Sequence, residues 1–149
     1  MVGPMSTSLE RPALQHHAIA PALVLRGPAV WEQALPTIAH LCRRPLLLGR
    51  SAATVPLRQR LGASLKAQGL QPHEAQLRHD CCDEDLEPLA QQAQALGIDG
   101  VIAAGGGKVL DAGKLLADRL GLPCITVPTS AATCAGWTAL ANVYSPAGA

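Results

Sequence analysis

VIAAGGGKVLDAGKLLADRLGLPCITVPTSAATCAGWTALANVY, residues 101–144, decides the fold. Val101–Ala104 is an apolar run short enough for a buried parallel strand, and Gly105-Gly106-Gly107 then lets the backbone turn sharply with no Cβ in a ligand's way. Lys108–Leu120 carries apolar residues at Val109, Ala112, Leu115, Leu116 and Leu120 and stops at Gly121, which predicts an amphipathic helix. The first N–H groups of that helix lack intrahelical partners and face the glycine turn, a local anion site suited to a pyrophosphate. Strand, glycine turn, helix and second strand in this order argue for a dinucleotide site.

Outward from this core, the chain alternates strand and helix. Ala22–Leu25 reads as a strand, and Gly27-Pro28 opens a helix with Trp31, Leu35, Ile38 and Leu41 at helical spacing, distorted by Pro36. Pro45–Leu48 is the next strand. Ser51 can cap a helix with Leu57, Leu61 and Leu65 on one face and Gly69 at its end, and a weak strand follows near Ala75–Leu77. Asp83 can cap another helix, with Leu86, Leu89, Ala90, Ala93 and Leu96 inward and Gly97 closing it. Ala139–Ser145 reads as a hairpin strand turning at Pro146-Ala147-Gly148. The fold class expected is α/β, a Rossmann-like, mostly parallel sheet with helices on both faces, ending in a β-hairpin. Residues 1–19 read as an irregular leader and 20–149 as the nucleotide-binding domain. In such a sheet ligands bind at the carboxyl ends of the strands, where Arg50, Gly105–Lys108 and Thr129 fall.

Two familiar phosphate motifs fail. A Walker A loop requires a glycine five residues before Gly107, where Ile102 stands, and a hydroxyl where Val109 stands. The GxGxxG fingerprint matches at Gly105 and Gly107, but Leu110 replaces its third glycine. The pattern present instead is GGGK followed by Asp111, with Pro128-Thr129-Ser130 ending the next strand.

On those residues the chain resembles the N-terminal domain of the metal-dependent (iron-containing) alcohol dehydrogenase superfamily, and within it the glycerol dehydrogenases. Similarity extends to PALVLRGPAVWEQ (21–33), PLLLGR (45–50) and residues 81–108, so it spans roughly residue 20 to the end. The resemblance implies NAD(P)-dependent hydride transfer to or from a small alcohol or polyol. It implies Gly106 and Gly107 under the pyrophosphate with Lys108 next to them, Asp111 near the nicotinamide and its ribose, and Thr129 against the adenosine half. Thr138, Leu140 and Tyr144 fall where the family places cofactor contacts from the hairpin, and Ala132 lacks a hydroxyl that many relatives carry there.

Two departures from the family pattern bear on specificity. Arg50 stands where NAD-preferring relatives place an aspartate for the ribose hydroxyls; an arginine pairs with a 2′-phosphate, so NADP is favoured over NAD. Cys134 replaces the aspartate that glycerol dehydrogenases place near the substrate hydroxyls, and a thiol cannot accept two strong hydrogen bonds from a diol. The family's zinc or iron is held by a helical C-terminal domain that is expected to be absent from this chain, so no metal ligand and no catalytic residue is assigned here. On this expectation the chain alone binds cofactor without turning over alcohol. Dehydroquinate synthase-like lyases share the fold but carry a turn resembling GGGV-x-x-D, so Lys108 favours the dehydrogenase branch. A stand-alone dinucleotide-binding module without catalysis is the non-enzymatic alternative.

Composition bounds the remaining classes. A formal net charge of +1 and 2% aromatic residues give no electrostatic or stacking basis for nucleic acid. No apolar segment approaches the length of a membrane span, and the N-terminus lacks a secretory pattern. Five irregularly spaced cysteines, Cys42, Cys81, Cys82, Cys124 and Cys134, suit a reducing cytoplasm better than a disulfide framework. The histidines at 16, 17, 40, 73 and 79 form no HExxH motif. A homo-oligomer is compatible with all of this.

Overall fold

The computed structural model describes residues 21–78, 81–130, 135, 136 and 138. The elements run α1 (Val30–Leu41), β1 (Pro45–Gly49), α2 (Val55–Ala67), β2 (His73–Gln76), α3 (Asp83–Ala95), β3 (Gly100–Gly105), α4 (Gly107–Leu120) and β4 (Cys124–Pro128). The described strands form one four-stranded sheet in the order β2-β1-β3-β4, and every pairing is parallel.

The strand period of two sorts the core into two layers. Leu46, Leu48, Val101 and Ala103 point toward Leu86, Leu110 and Leu116 of α3 and α4. Leu47, Ile102 and Ala104 point to the opposite face, against Ile38 of α1 and Leu61 and Leu65 of α2. The central strands β1 and β3 are buried throughout, as a parallel sheet covered on both faces requires. From β1 the chain passes to β2 on one side, and β3 and β4 lie on the other side of β1. The carboxyl ends of β1 and β3 therefore flank the point where strand order reverses, the crevice in which open α/β sheets bind ligands.

At the opposite edge, Asp99 fastens the start of β1. Its carboxylate accepts from the backbone N–H of Arg43 at 3.0 and 2.9 Å and from that of Arg44 at 2.7 Å.

Several expectations need correction. Ala22–Leu25 is not a strand: it pairs with no described element and Leu23 is 58% exposed. An apolar run supplies β propensity but no neighbour, and pairing is what makes a strand. Leu41 is 49% exposed rather than inward. Pro36 leaves α1 in one piece, because the carbonyl deprived of its partner is that of Glu32, on the exposed side where water can serve. The cap position of α3 belongs to Cys82; Asp83 is the first helical residue and pairs with Arg119 of α4. β2 spans His73–Gln76, two residues ahead of its expected start. The hairpin expected over 139–145 lies outside the described residues.

Candidate functional site

The glycine turn joins β3 to α4. Gly105 ends the strand at φ 157°, a conformation L side chains rarely adopt, and a Cβ on it would come within 3.2 Å of Val109 Cβ. Gly106 is the N-cap residue and Gly107 the first helical residue, so the helix starts one residue earlier than its apolar pattern predicts. Among the described residues, none would come within 4 Å of a Cβ on Gly106, so none of them covers the turn. Leu110 N–H donates to the Gly106 carbonyl at 3.1 Å and so ties the N-cap residue to the first turn of α4. The N–H groups of the first turn have no i−4 carbonyl in the helix to accept them. Lys108 is half-buried beside the turn.

The third glycine missing from the fingerprint has a substitute one turn further on. A Cβ on Gly113 would collide with the Ala103 Cβ of β3, so this glycine lets α4 lie against the strand. That is the job the third glycine performs in a GxGxxG unit. Sequence reading missed it because the spacing differs, although a glycine facing an alanine-rich strand is a usable signal.

Asp111 is buried inside the same helix and pairs with Lys114 at 3.3 Å, the two side chains being 7% and 11% exposed. Lys114 Nζ also donates to the carbonyls of Ala135 at 2.8 Å and Thr138 at 2.9 Å. Thr126 of β4 donates its hydroxyl to the Gly136 carbonyl at 3.1 Å. Thr129 follows β4 as an exposed residue, and its N–H donates to the Gly105 carbonyl at 3.0 Å, joining the strand end to the glycine turn.

Arg50 directly follows β1 and is exposed. An open cleft of about 740 Å³ is lined by Arg50, Ser51, Gln76, Leu77 and Arg78, between the carboxyl ends of β1 and β2. Its floor is held by Leu77 N–H to the Gly49 carbonyl at 2.8 Å and by Gln76 Nε2 to the Arg50 carbonyl at 2.8 Å. Behind it, the buried Arg58 fills the space that a side chain on Gly49 would occupy and donates to the Ser51 carbonyl at 3.3 Å. Arg78 was not foreseen; Gly49 pairs with Gln76 in parallel register, so the chain leaving β2 runs beside Arg50 and carries Arg78 two residues past the strand end, which is the signal that could have found it.

Among the expected cofactor residues, then, Arg50, Gly106, Gly107, Lys108, Asp111 and Thr129 lie at the carboxyl ends of β1, β3 and β4 or in the helix that follows β3. Thr138 is tied to α4 through its carbonyl. Leu140, Tyr144, Ala132 and Cys134 lie outside the described residues. Among those described, no group of three or more His, Cys, Asp or Glu side chains could hold a metal ion, and no helix is long and apolar enough to cross a membrane. Cys42, Cys81, Cys82 and Cys124 are free thiols. Burial pushes Cys81 up to about 11, with the Asp111 carboxylate adding to the effect, so it is a protonated thiol at neutral pH.

A parallel, doubly covered sheet with a glycine turn at its switch point defines the class of α/β nucleotide-binding domains. Within that class the chain belongs to the family of iron-containing alcohol dehydrogenases, whose pattern it matches over residues 21–149. It is 41% identical over 132 residues to an uncharacterized oxidoreductase of Synechocystis sp., covering 89% of this chain and 34% of that protein. It is 49% identical over 73 residues to hydroxycarboxylate dehydrogenase A of Escherichia coli K12, covering 48% of this chain and 19% of the relative. The crystal structure of a probable glycerol dehydrogenase from Sinorhizobium meliloti 1021 superposes with a TM-score of 0.70 at 27% identity, over 80% of this chain and 32% of that one. The chain thus spans about a third of the length of the relatives it matches most fully.

Proposed function

We propose that this domain binds a nicotinamide dinucleotide along the carboxyl edge of its sheet, with NADP preferred, as the N-terminal cofactor-binding part of a metal-dependent alcohol or polyol dehydrogenase. The observation that carries the reading is the glycine turn at Gly105–Gly107, left uncovered at Gly106 by the described residues and flanked on the β1 side by a cleft holding Arg50 and Arg78. Backbone N–H groups at Gly106 and Gly107 donate to the pyrophosphate, helped by the helix dipole. Arg50 pairs with the adenosine 2′-phosphate, Arg78 adds a second positive charge in the same cleft, and Thr129 borders the adenosine half. Asp111 stands toward the nicotinamide half. The cofactor, when bound, exchanges a hydride with the carbinol carbon of the substrate. The described residues do not fit a metal ion, so no step is assigned to one within them; the zinc or iron of the family pattern is proposed to be held by residues outside this set. Buried free thiols are compatible with a reducing, cytoplasmic setting.

Fluorescence titration of NADPH and NADH into the native product that carries this chain tests the reading. Binding of NADPH about tenfold or more tighter than NADH is expected; no binding of either at millimolar concentration overturns it. Intact mass of that product is expected to exceed twice that of these 149 residues.

A second substrate class, a hydroxycarboxylate, is favoured by one feature of the sequence. Cys134 stands where the glycerol dehydrogenase pattern has an aspartate, and removing that negative charge favours a substrate that carries its own carboxylate. The relative named hydroxycarboxylate dehydrogenase A agrees with this. Assaying NADPH oxidation with 2-oxo acids against hydroxyketones separates the two, and turnover confined to hydroxyketones removes the second reading.

A further inference from the structure

We infer that Lys114 is a positioning residue that holds the backbone at Ala135 and Thr138 against α4 and so sets the nicotinamide side of the cofactor pocket. The inference rests on the cofactor reading above and adds a residue to it. An ammonium has three N–H donors, and among the described residues it meets one acceptor on its own helix, Asp111 at 3.3 Å, and two beyond β4, the Ala135 carbonyl at 2.8 Å and the Thr138 carbonyl at 2.9 Å. The carbonyls lie 21 and 24 residues further along the chain, beyond the end of β4. Lys114 is only 11% exposed at its side chain, where its bonds are little weakened by competing water.

A surface lysine would hold one partner at a time; this one joins the helix after the glycine turn to the segment after the next strand. Asp111, the residue placed toward the nicotinamide, is thereby held by the same ammonium that holds the segment. Thr126 supplies a second, independent pin through its hydroxyl to the Gly136 carbonyl at 3.1 Å. Gly136 in turn sits against Pro128, whose Cγ would lie 3.2 Å from a Cβ on that glycine, so Gly136 has little room to shift toward β4. The adenosine end, at Arg50 and the β1–β2 cleft, shares none of these contacts.

The half of the cofactor affected is therefore the discriminating readout. In the native product, Lys114→Met is expected to weaken NADPH binding about tenfold while leaving 2′,5′-ADP, which carries only the adenosine half, within about twofold. Where Lys114→Met does not fold, Thr126→Val carries the test, with the same asymmetry at about threefold. Loss of affinity for both ligands in equal measure, or for neither, overturns the inference while leaving the cofactor assignment standing. Failure of the unaltered protein to bind NADPH at all overturns the assignment, and this inference with it.

Discussion

At the β1–β2 end of the sheet, Arg50, Ser51 and Arg78 reach the cleft from short connections, with both arginines exposed; at the β3–α4 end, glycines and a buried Asp111–Lys114 pair build the site from backbone and interior. On the proposed reading the first arrangement discriminates by charge and can change with a single side chain. The second depends on how closely a helix and a strand approach, so most substitutions there act on the fold before they act on a ligand. Specificity is accordingly expected to reside at the arginine end, and affinity for the pyrophosphate at the glycine end.

The largest effect tests the rigid end. A Cβ on Gly113 would meet the Ala103 Cβ on a central strand, which has no rotamer through which to yield. Gly113→Val is expected to cost about 3 kcal/mol, read from the urea midpoint. Gly49 offers the contrast, since the three nearest atoms a Cβ there would meet all belong to the Arg58 side chain, which has rotamers through which to yield. Gly49→Ala is expected to cost about 1 kcal/mol, less than a helix displaced from its sheet. Equal losses at the two glycines would erase the distinction between the ends.

Next in size is the charge test. Arg50→Asp replaces the proposed donor for a 2′-phosphate with a group that repels it and accepts from ribose hydroxyls. The ratio of NADPH to NADH affinity is expected to fall about a hundredfold, roughly 2.7 kcal/mol. A variant that keeps its NADPH preference would move discrimination away from Arg50.

The unequal legibility of the two ends in the sequence has a physical cause. Continuous apolar runs at 45–48 and 101–104 announce buried parallel strands, and GGGK with Asp111 announces the turn and helix, because these depend on local pattern. Ala22–Leu25 shows the same apolar pattern and is not a strand, because pairing is set by a partner the pattern does not contain. The roles of Gly113 and Lys114 were invisible for a related reason: each is defined by a contact with a segment distant in sequence, Ala103 for one and Ala135 and Thr138 for the other. The Asp111–Lys114 spacing was readable as a helical i,i+3 pair, but not its burial or its reach beyond β4. Arg50 was legible because it closes an obvious strand, and Arg78 was not, because β2 is short and polar.

A third prediction separates the carboxyl edge from the opposite one. Asp99 accepts two backbone N–H groups at the start of β1, far along the strand from Arg50. Asp99→Ala is expected to destabilise the protein by about 2 kcal/mol through loss of hydrogen bonds to a charged acceptor. NADPH affinity, measured where the variant is still folded, is expected to stay within about twofold, since no group at the carboxyl edge is altered. A larger loss of affinity would mean that strand β1 transmits strain between its ends.

The smallest effect concerns the buried thiols, and it divides along the same line. Burial pushes Cys42, Cys81 and Cys124 up to about 11 from 9.0; Asp99 adds to the effect on Cys42 and Asp111 to that on Cys81, while Lys114 opposes it at Cys124. Each folded value lies above the unfolded one, so folding favours the protonated thiol. That stabilisation is intact below about pH 9 and is lost as pH rises toward 11, where the unfolded chain ionises first. The urea midpoint should therefore fall between those two values, and the fall should be shallower in Cys81→Ala. Cys81 feels the Asp111 carboxylate at the proposed cofactor end and Cys42 the Asp99 carboxylate at the other, so comparing the slopes of Cys81→Ala and Cys42→Ala weighs the two carboxylates against each other. Removing Asp99 as well should lower the remaining Cys42 contribution and leave that of Cys81 unchanged; a shift in both would show the two ends to be electrostatically coupled through the sheet.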